Sequence, residues 1–131
     1  MRAVAMTEYA MSILVHCCDQ PDHILLVQYF IRDSTHGAFQ VETITTSNPE
    51  VAIAQYQSTD PISIVVVEYP RDVAATIEQL RAHPNFGDAI LLIITGRPQH
   101  YQALSSATVL IGDKIDQLRM LNAALAHCNA I

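Results

Sequence analysis

The stretch ISIVVV at residues 62–67 is the most β-branched run in the chain. β-Branched residues favour extended backbone, and a continuous apolar run is typical of a strand that is covered on both faces. A second such run, AILLII at residues 89–94, follows after a segment with helical spacing. These two runs therefore predict the interior strands of an α/β domain.

The same strand-then-helix pattern occurs five times along the chain. Strands are predicted at residues 12–16 (SILVH), 39–46 (FQVETITT), 62–67, 89–94 and 108–111. Helix starts are marked by Pro21, Asn48 with Pro49, Asp72 and Asp113, because asparagine and aspartate cap helices and proline suits the first turn. A short helix at residues 99–105 is predicted after Gly96 and Pro98. Five βα units with short connections predict a parallel sheet with helices on both faces, a three-layer α/β/α sandwich.

Side-chain spacing predicts which residues form the core. In the last helix, apolar residues recur at spacings of three and four, which is the pattern of one buried helical face. These residues are Ile115, Leu118, Leu121 and Leu125. In the two interior strands, Ile64, Val66, Leu92 and Ile94 are expected to be almost fully buried, because both faces of those strands are covered.

Length and composition narrow the class of protein. The chain has 131 residues, of which half are hydrophobic, and a formal net charge of −6 with a single lysine, Lys114. That length fits one domain, predicted at residues 12–129 after a loose leader at 1–11, and the charge does not favour nucleic-acid binding. No apolar run is long enough to span a membrane, and an odd cysteine count with two adjacent cysteines favours a reducing cytoplasm.

Four local motifs occur in the order and spacing of a known family. They are SILVHCCDQPD at residues 12–22, PISIVVVEYP at 61–70, LRAHP at 80–84 and LLIITGRP at 91–98. Together they resemble the CheY-like receiver domain of two-component signalling, over nearly all of residues 12–129. The resemblance implies a flavodoxin-like fold with strand order 2-1-3-4-5 and a functional site at the carboxyl ends of strands one and three.

The resemblance also implies which positions should carry phosphoryl transfer. A receiver has two acidic residues after strand one, an aspartate nucleophile ending strand three, a Ser/Thr ending strand four, and a lysine and an aromatic in strand five. The acidic pair falls on Cys17 and Cys18, with Asp19 one place later, and the nucleophile falls on Val67 or, one residue on, Glu68.

The last two strands keep less of the pattern. Thr95 matches the hydroxyl position, whereas the lysine position falls near Ile111 or Gly112. Lys114 is expected to be displaced from the site and to start the last helix. No aromatic residue lies between Ser106 and Ile111. The sequence therefore predicts a degenerate receiver, a pseudo-receiver that is not an enzyme.

Alternatives remain for several of these residues. Glu68 either stands in for a phosphorylated aspartate or is a solvated loop residue just past a strand. Asp19 either keeps weak metal affinity with Glu68 or caps the helix that starts at Pro21. Thr95 is either the retained phosphoryl ligand or an ordinary strand-end hydroxyl.

Cysteine and histidine chemistry are disfavoured by their surroundings. The segment CCDQPDH has no glycine or arginine to hold a phosphate, and a buried cysteine usually acts as a small hydrophobe. The six histidines are scattered without ligand spacing, so neither metal nor cofactor is predicted. They are His16, His23, His36, His83, His100 and His127.

The favoured function is a bacterial signalling module that works by protein–protein contact without conventional aspartate phosphorylation. Two alternatives remain open: a functional phospho-accepting response regulator, and a cysteine phosphotransfer protein on a related fold. The resemblance implies that the partner surface lies on the fourth helix, fifth strand and last helix, and a second copy of the chain is the simplest partner. The candidate interface residues are Gln99, His100, Tyr101, Arg119 and Asn122.

Overall fold

In the computed structural model, which describes residues 12–128, the five predicted strands form one parallel sheet. The strands are β1 Ser12–Cys17, β2 Phe39–Ile44, β3 Ile64–Glu68, β4 Ile90–Ile94 and β5 Val109–Gly112. Their order is β2-β1-β3-β4-β5, the flavodoxin-like arrangement that was predicted. The predicted leader, 1–11, and the last residue of the predicted domain, 129, lie outside the described residues.

Helices connect the strands as the cap residues predict. The α-helices are α1 Pro21–Thr35, α2 Pro49–Gln55, α3 Val73–Ala82 and α4 Gln117–His127. The Asn48 side chain accepts a hydrogen bond from the Glu50 amide at 2.9 Å, and Asp72 caps α3 by accepting from the Ala75 amide at 3.0 Å. Within residues 12–128, no helix combines the length and the apolar character that crossing a membrane would require.

Two connections are 3-10 helices, Pro98–Leu104 and Lys114–Asp116. The first replaces the predicted fourth helix, and none of its residues is buried, so it has no apolar face to extend it into an α-helix. The second is capped by Asp113, which accepts from the Asp116 amide at 3.2 Å. Because α4 begins only after this turn, the expectation that Ile115 is buried was wrong: it is 91% exposed.

The core has two halves, one on each face of the sheet. α1 and α4 pack against one face, and α2 and α3 pack against the other, where Tyr101 is also in contact. The four residues predicted to be buried, Ile64, Val66, Leu92 and Ile94, each have 0% exposure. The predicted three-layer sandwich is confirmed.

Candidate functional site

Glu68 is the centre of the candidate site. It is the last residue of β3, the middle strand of the sheet, and it is only 3% exposed. Side chains alternate between the faces of a strand, so Glu68 follows Ile64 and Val66 onto the face covered by α1 and α4. The interpretation of Glu68 as a solvated loop residue was therefore wrong.

Four nitrogen atoms from separate parts of the chain surround the Glu68 carboxylate. Oε2 lies 2.5 Å from Nε2 of His16 in β1, and it accepts a hydrogen bond from Nε2 of Gln117 in α4 at 2.7 Å. Oε1 accepts from Nζ of Lys114 at 2.9 Å and lies 3.0 Å from Nδ1 of His23 in α1. Because a carboxylate carries no hydrogen, each of these ring nitrogens must be the protonated donor.

These contacts keep the carboxylate charged. Burial alone would raise the pKa of Glu68, because it removes water from the charged form. Hydrogen bonds from His16, Lys114 and Gln117 outweigh burial and hold the pKa of Glu68 well below its usual range. The site is therefore a buried anion that is stabilised by donors from four elements of the fold.

Two polar atoms in this cluster have no hydrogen-bond partner among the described residues. They are Nδ1 of His16, whose residue is 0% exposed, and Oε1 of Gln117, whose residue is 1% exposed. Buried polar atoms are nearly always paired in folded proteins, so two unpaired atoms beside one carboxylate are unusual. The cluster has hydrogen-bonding capacity that its own residues do not use.

Lys114 occupies the site, contrary to the sequence-based expectation that it is displaced. It starts the short 3-10 helix rather than the last α-helix, two residues after β5 ends at Gly112. Its side chain extends back over the strand end to reach Glu68. A side chain with four methylene groups spans such an offset, which a count of residues along the strand does not anticipate. Val67, the other candidate for the nucleophile position, is 1% exposed in the core on the opposite face.

The two cysteines at the end of β1 lie in different surroundings. Cys17 packs into the core on the α2 and α3 face, whereas Cys18 lies close to His16 and Glu68. Burial raises the pKa of Cys17 to about 12 and that of Cys18 to about 11, so both thiols are protonated and poorly nucleophilic at neutral pH. Neither cysteine has the lowered pKa expected of a phosphate-accepting thiol.

Asp19 does not cap the helix, and among the described residues it is not part of the cluster of possible metal ligands around Glu68. It is exposed, and its carboxylate accepts from Nε2 of Gln20 at 3.1 Å. Gln20, not Asp19, is the N-cap residue of α1, and its side chain makes no capping bond. The prediction that Asp19 caps this helix was wrong, because Pro21 begins the helix directly and its missing amide needs no acceptor.

The ends of β3 and β4 shape the rim of the site. Thr95 follows β4, and its hydroxyl accepts from the Arg97 amide at 3.4 Å rather than contacting Glu68. Tyr69, directly after Glu68, has a φ angle of +57°, a left-handed conformation that is rare for a bulky residue. Such strained residues cluster at functional sites.

The histidines that seemed scattered in sequence converge in part. His16 and His23 both contact Glu68. A sequence signal existed for His16, because it alternates with the buried Leu14 and therefore faces the same side of β1. For His23, which approaches from the start of a helix, no comparable signal exists.

The candidate interface residues lie on the first 3-10 helix and on α4, and they differ in exposure. Gln99 and His100 on the first 3-10 helix are exposed, as are Arg119 and Asn122 on α4. Tyr101 is partly buried and packs against the core. A groove lies between the 3-10 helix, β5 and α4, and Arg119 is part of its lining.

Comparisons with known proteins support the fold alone. A scan against protein-family models finds no match, and a search of curated proteins finds none. Among solved structures, the chain is similar to a crystal structure of a sensor protein from Polaromonas sp. JS666, with a TM-score of 0.66 and 15% sequence identity. The similarity covers 93% of this chain and 100% of that chain. This chain therefore shares its flavodoxin-like α/β architecture with that sensor protein.

Proposed function

We propose that this chain is a receiver-like signalling module of the two-component type that acts by protein–protein contact without conventional aspartate phosphorylation. The observation that supports it best is the state of Glu68. Both oxygens of this carboxylate are already engaged, at 2.5 to 3.0 Å, by four nitrogen atoms. A phosphoacceptor must instead present a free lone pair in line with the incoming phosphorus.

The ion pair between Glu68 and Lys114 also supports a module that stays in one conformational state. By the receiver resemblance, the lysine near the end of strand five holds the phosphoryl oxygens after transfer. Here Lys114 holds the carboxylate of Glu68 itself, and glutamate is one methylene group longer than aspartate. The Glu68–Lys114 ion pair thus supplies, without phosphate, the contact between this lysine and an anion. We infer that the module stays in one state.

Mass spectrometry after incubation with a phosphodonor tests this proposal. The full chain is incubated with acetyl phosphate or carbamoyl phosphate and Mg²⁺, beside a receiver with a complete acidic site as the positive control. We expect no adduct on this chain. An acid-labile adduct on Glu68 would instead support a working response regulator, and an adduct on Cys17 or Cys18 would support a cysteine phosphotransfer protein.

We infer that the partner surface is formed by the first 3-10 helix, β5 and α4, and that the partner is a second copy. Contact through this surface would be constitutive, because the site beside it does not switch. Sedimentation of the wild type, Tyr101→Ala and Arg119→Ala, with and without phosphodonor, tests it. We expect a dimer that both substitutions weaken and that phosphodonor leaves unchanged.

The structure offers a rival surface for the same experiment. On α1, the apolar residues Leu25, Leu26 and Tyr29 are 49%, 44% and 53% exposed. A dimer that resists both Tyr101→Ala and Arg119→Ala but is lost in Leu26→Ser would place the contact on α1. A dimer that forms only with phosphodonor would contradict the inference that the module stays in one state.

A further inference from the structure

A histidine, a cysteine and a glutamate meet at the centre of the site. One ring nitrogen of His16, Sγ of Cys18 and one carboxylate oxygen of Glu68 all lie within 4.8 Å of one another. All three residues are buried. They come from the carboxyl ends of two neighbouring strands, β1 and β3, so the sheet itself fixes their relative positions.

We propose that His16, Cys18 and Glu68 form a binding site for one transition-metal ion of the Zn²⁺ type, with the fourth position left for a water molecule or an exogenous ligand. Nitrogen, sulfur and carboxylate oxygen together are the ligand set that zinc uses in proteins. His23 would act as an outer partner of the site, because its Nδ1 lies 3.0 Å from Oε1 of Glu68. This proposal does not rest on the signalling function, since it requires only these side chains.

The geometry needs only a small adjustment to hold the ion. Metal–ligand distances of roughly 2.0–2.3 Å place tetrahedral ligand atoms roughly 3.3–3.8 Å apart. The three ligand atoms are within 4.8 Å already, and the 2.5 Å contact between His16 and Glu68 would open as the metal replaces the hydrogen that Nε2 donates. That hydrogen would move to Nδ1 of His16, and Cys18 would bind as the thiolate and release its proton to solvent.

The surroundings supply the orientation that a metal site needs. Nε2 of Gln117 donates a hydrogen bond to Oε2 of Glu68 at 2.7 Å and so orients the carboxylate. Outer partners of this kind orient the ligands in metal sites. His23, whose side chain is 31% exposed, gives the ion a route from solvent.

Lys114 opposes a cation at this site. Its ammonium group donates to Oε1 of Glu68 at 2.9 Å, and its side chain is 25% exposed. A metal ion would have to share that oxygen or displace the ammonium group toward solvent. Removing the charge at this position should therefore strengthen metal binding, which makes Lys114 a useful test residue.

Cobalt titration of the purified, metal-free full chain tests the site, because Co²⁺ bound by a thiolate gives a charge-transfer absorption band. We expect one Co²⁺ per chain with this band, displacement by Zn²⁺ and no competition from millimolar Mg²⁺. Cys17→Ala is the matched control, since Cys17 is adjacent and buried but packs on the opposite face of the sheet. The band should persist in Cys17→Ala and disappear in Cys18→Ser.

Two further variants report on affinity. His23→Ala should weaken Zn²⁺ binding by about 10–100-fold, the range seen when an outer partner is lost. Lys114→Met should bind Zn²⁺ more tightly than the wild type. Circular dichroism establishes that each variant is folded, and His23 is exposed enough that its truncation should not unfold the chain.

Several results would overturn the proposal. These are a failure of the wild type to bind Co²⁺ at one equivalent, binding without the thiolate band, and an unchanged band in Cys18→Ser. Competition by millimolar Mg²⁺ would show an oxygen-ligand site instead. Unchanged Zn²⁺ affinity in both His23→Ala and Lys114→Met would mean that Glu68 and its neighbours do not hold the ion.

Discussion

Lys114 and Glu68 form an ion pair across the carboxyl edge of the sheet, with 2.9 Å between Nζ and Oε1. The two residues are 46 positions apart in the chain. The Glu68 side chain is 2% exposed and that of Lys114 is 25% exposed, so the pair is only partly screened by water. The carboxylate cannot move to solvent if the lysine is removed, whereas the lysine can leave if the carboxylate is removed. The two halves of the pair should therefore respond differently to mutation.

Lys114→Met should lower the free energy of unfolding by about 1.5–3 kcal/mol, the usual contribution of a hydrogen bond to a charged group. Arg119→Met is the matched control, because Arg119 pairs with Asp116 on the surface, with side-chain exposures of 78% and 37%. The control should cost about 0.5 kcal/mol or less. Urea unfolding of both variants at neutral pH measures the difference, and equal losses would mean that the Glu68 pair is no stronger than a surface pair.

Stability should fall in acid partly because of Glu68. The folded chain holds the pKa of Glu68 well below its ordinary value of 4.5, so below about pH 4.5 the unfolded chain binds a proton that the folded chain does not. The contribution of this group is complete above pH 4.5 and is lost as the pH falls toward the folded pKa. Unfolding curves of wild type and Glu68→Gln from pH 7 to pH 3 should converge in acid. Parallel curves would show that Glu68 contributes no pH dependence.

The turn after Glu68 should favour residues that tolerate a positive φ. Tyr69 has a φ angle of +57°, and a strained residue of this kind costs about 1–3 kcal/mol. Tyr69→Asn should be more stable than Tyr69→Val by about 1 kcal/mol or more, because asparagine accepts this conformation and β-branched valine does not. Both variants lose the ring, which is 46% exposed, so thermal unfolding of the two isolates the backbone effect.

Thiol labelling should separate the three cysteines. Burial raises the pKa of Cys17 to about 12 and that of Cys18 to about 11, whereas Cys128 is partly exposed near the end of α4. In the metal-free folded chain, iodoacetamide should label Cys128 first and leave the other two intact. Peptide mass spectrometry locates the label, and guanidinium should make all three react. Rapid labelling of Cys18 in the folded chain would contradict its burial.

Truncating a buried side chain on an interior strand should lower the free energy of unfolding substantially. Leu92 is 0% exposed in β4, so Leu92→Ala should cost about 2–5 kcal/mol by losing contacts and leaving a cavity. Leu25→Ala removes the same atoms from a side chain that is 49% exposed in α1, and it should cost about 0.5 kcal/mol or less. Chemical denaturation compares the two. A loss below about 0.5 kcal/mol at Leu92 would not fit a covered strand.

Local patterns predicted most of the fold because the pattern and the burial have the same cause. Continuous apolar runs marked β3 and β4, and Asn48 and Asp72 marked helix starts through caps that the structure contains. The strand order came from the receiver resemblance, since periodicity describes one strand at a time. Ile115 was misplaced because the 3-10 turn before α4 interrupts the helical spacing.

The candidate site was less predictable because its contacts are long-range. Glu68 was named as a site residue, yet its burial depends on α1 and α4 closing over one face of the sheet. The convergence of His16, His23 and Lys114 depends on strand register and side-chain reach. Sequence spacing contains neither quantity.

The residues that contact Glu68 come from both ends of the described chain, so the site couples the first strand to the last helix during local unfolding. His16 lies in the first strand and Gln117 in the last helix, and both contact Oε2. Detachment of α4 alone would break the Gln117 hydrogen bond and expose the apolar residues that α4 packs against the sheet, which is costly. β1, β3 and α4 should therefore open as one cooperative unit, and their slowest amides should exchange hydrogen at a common rate.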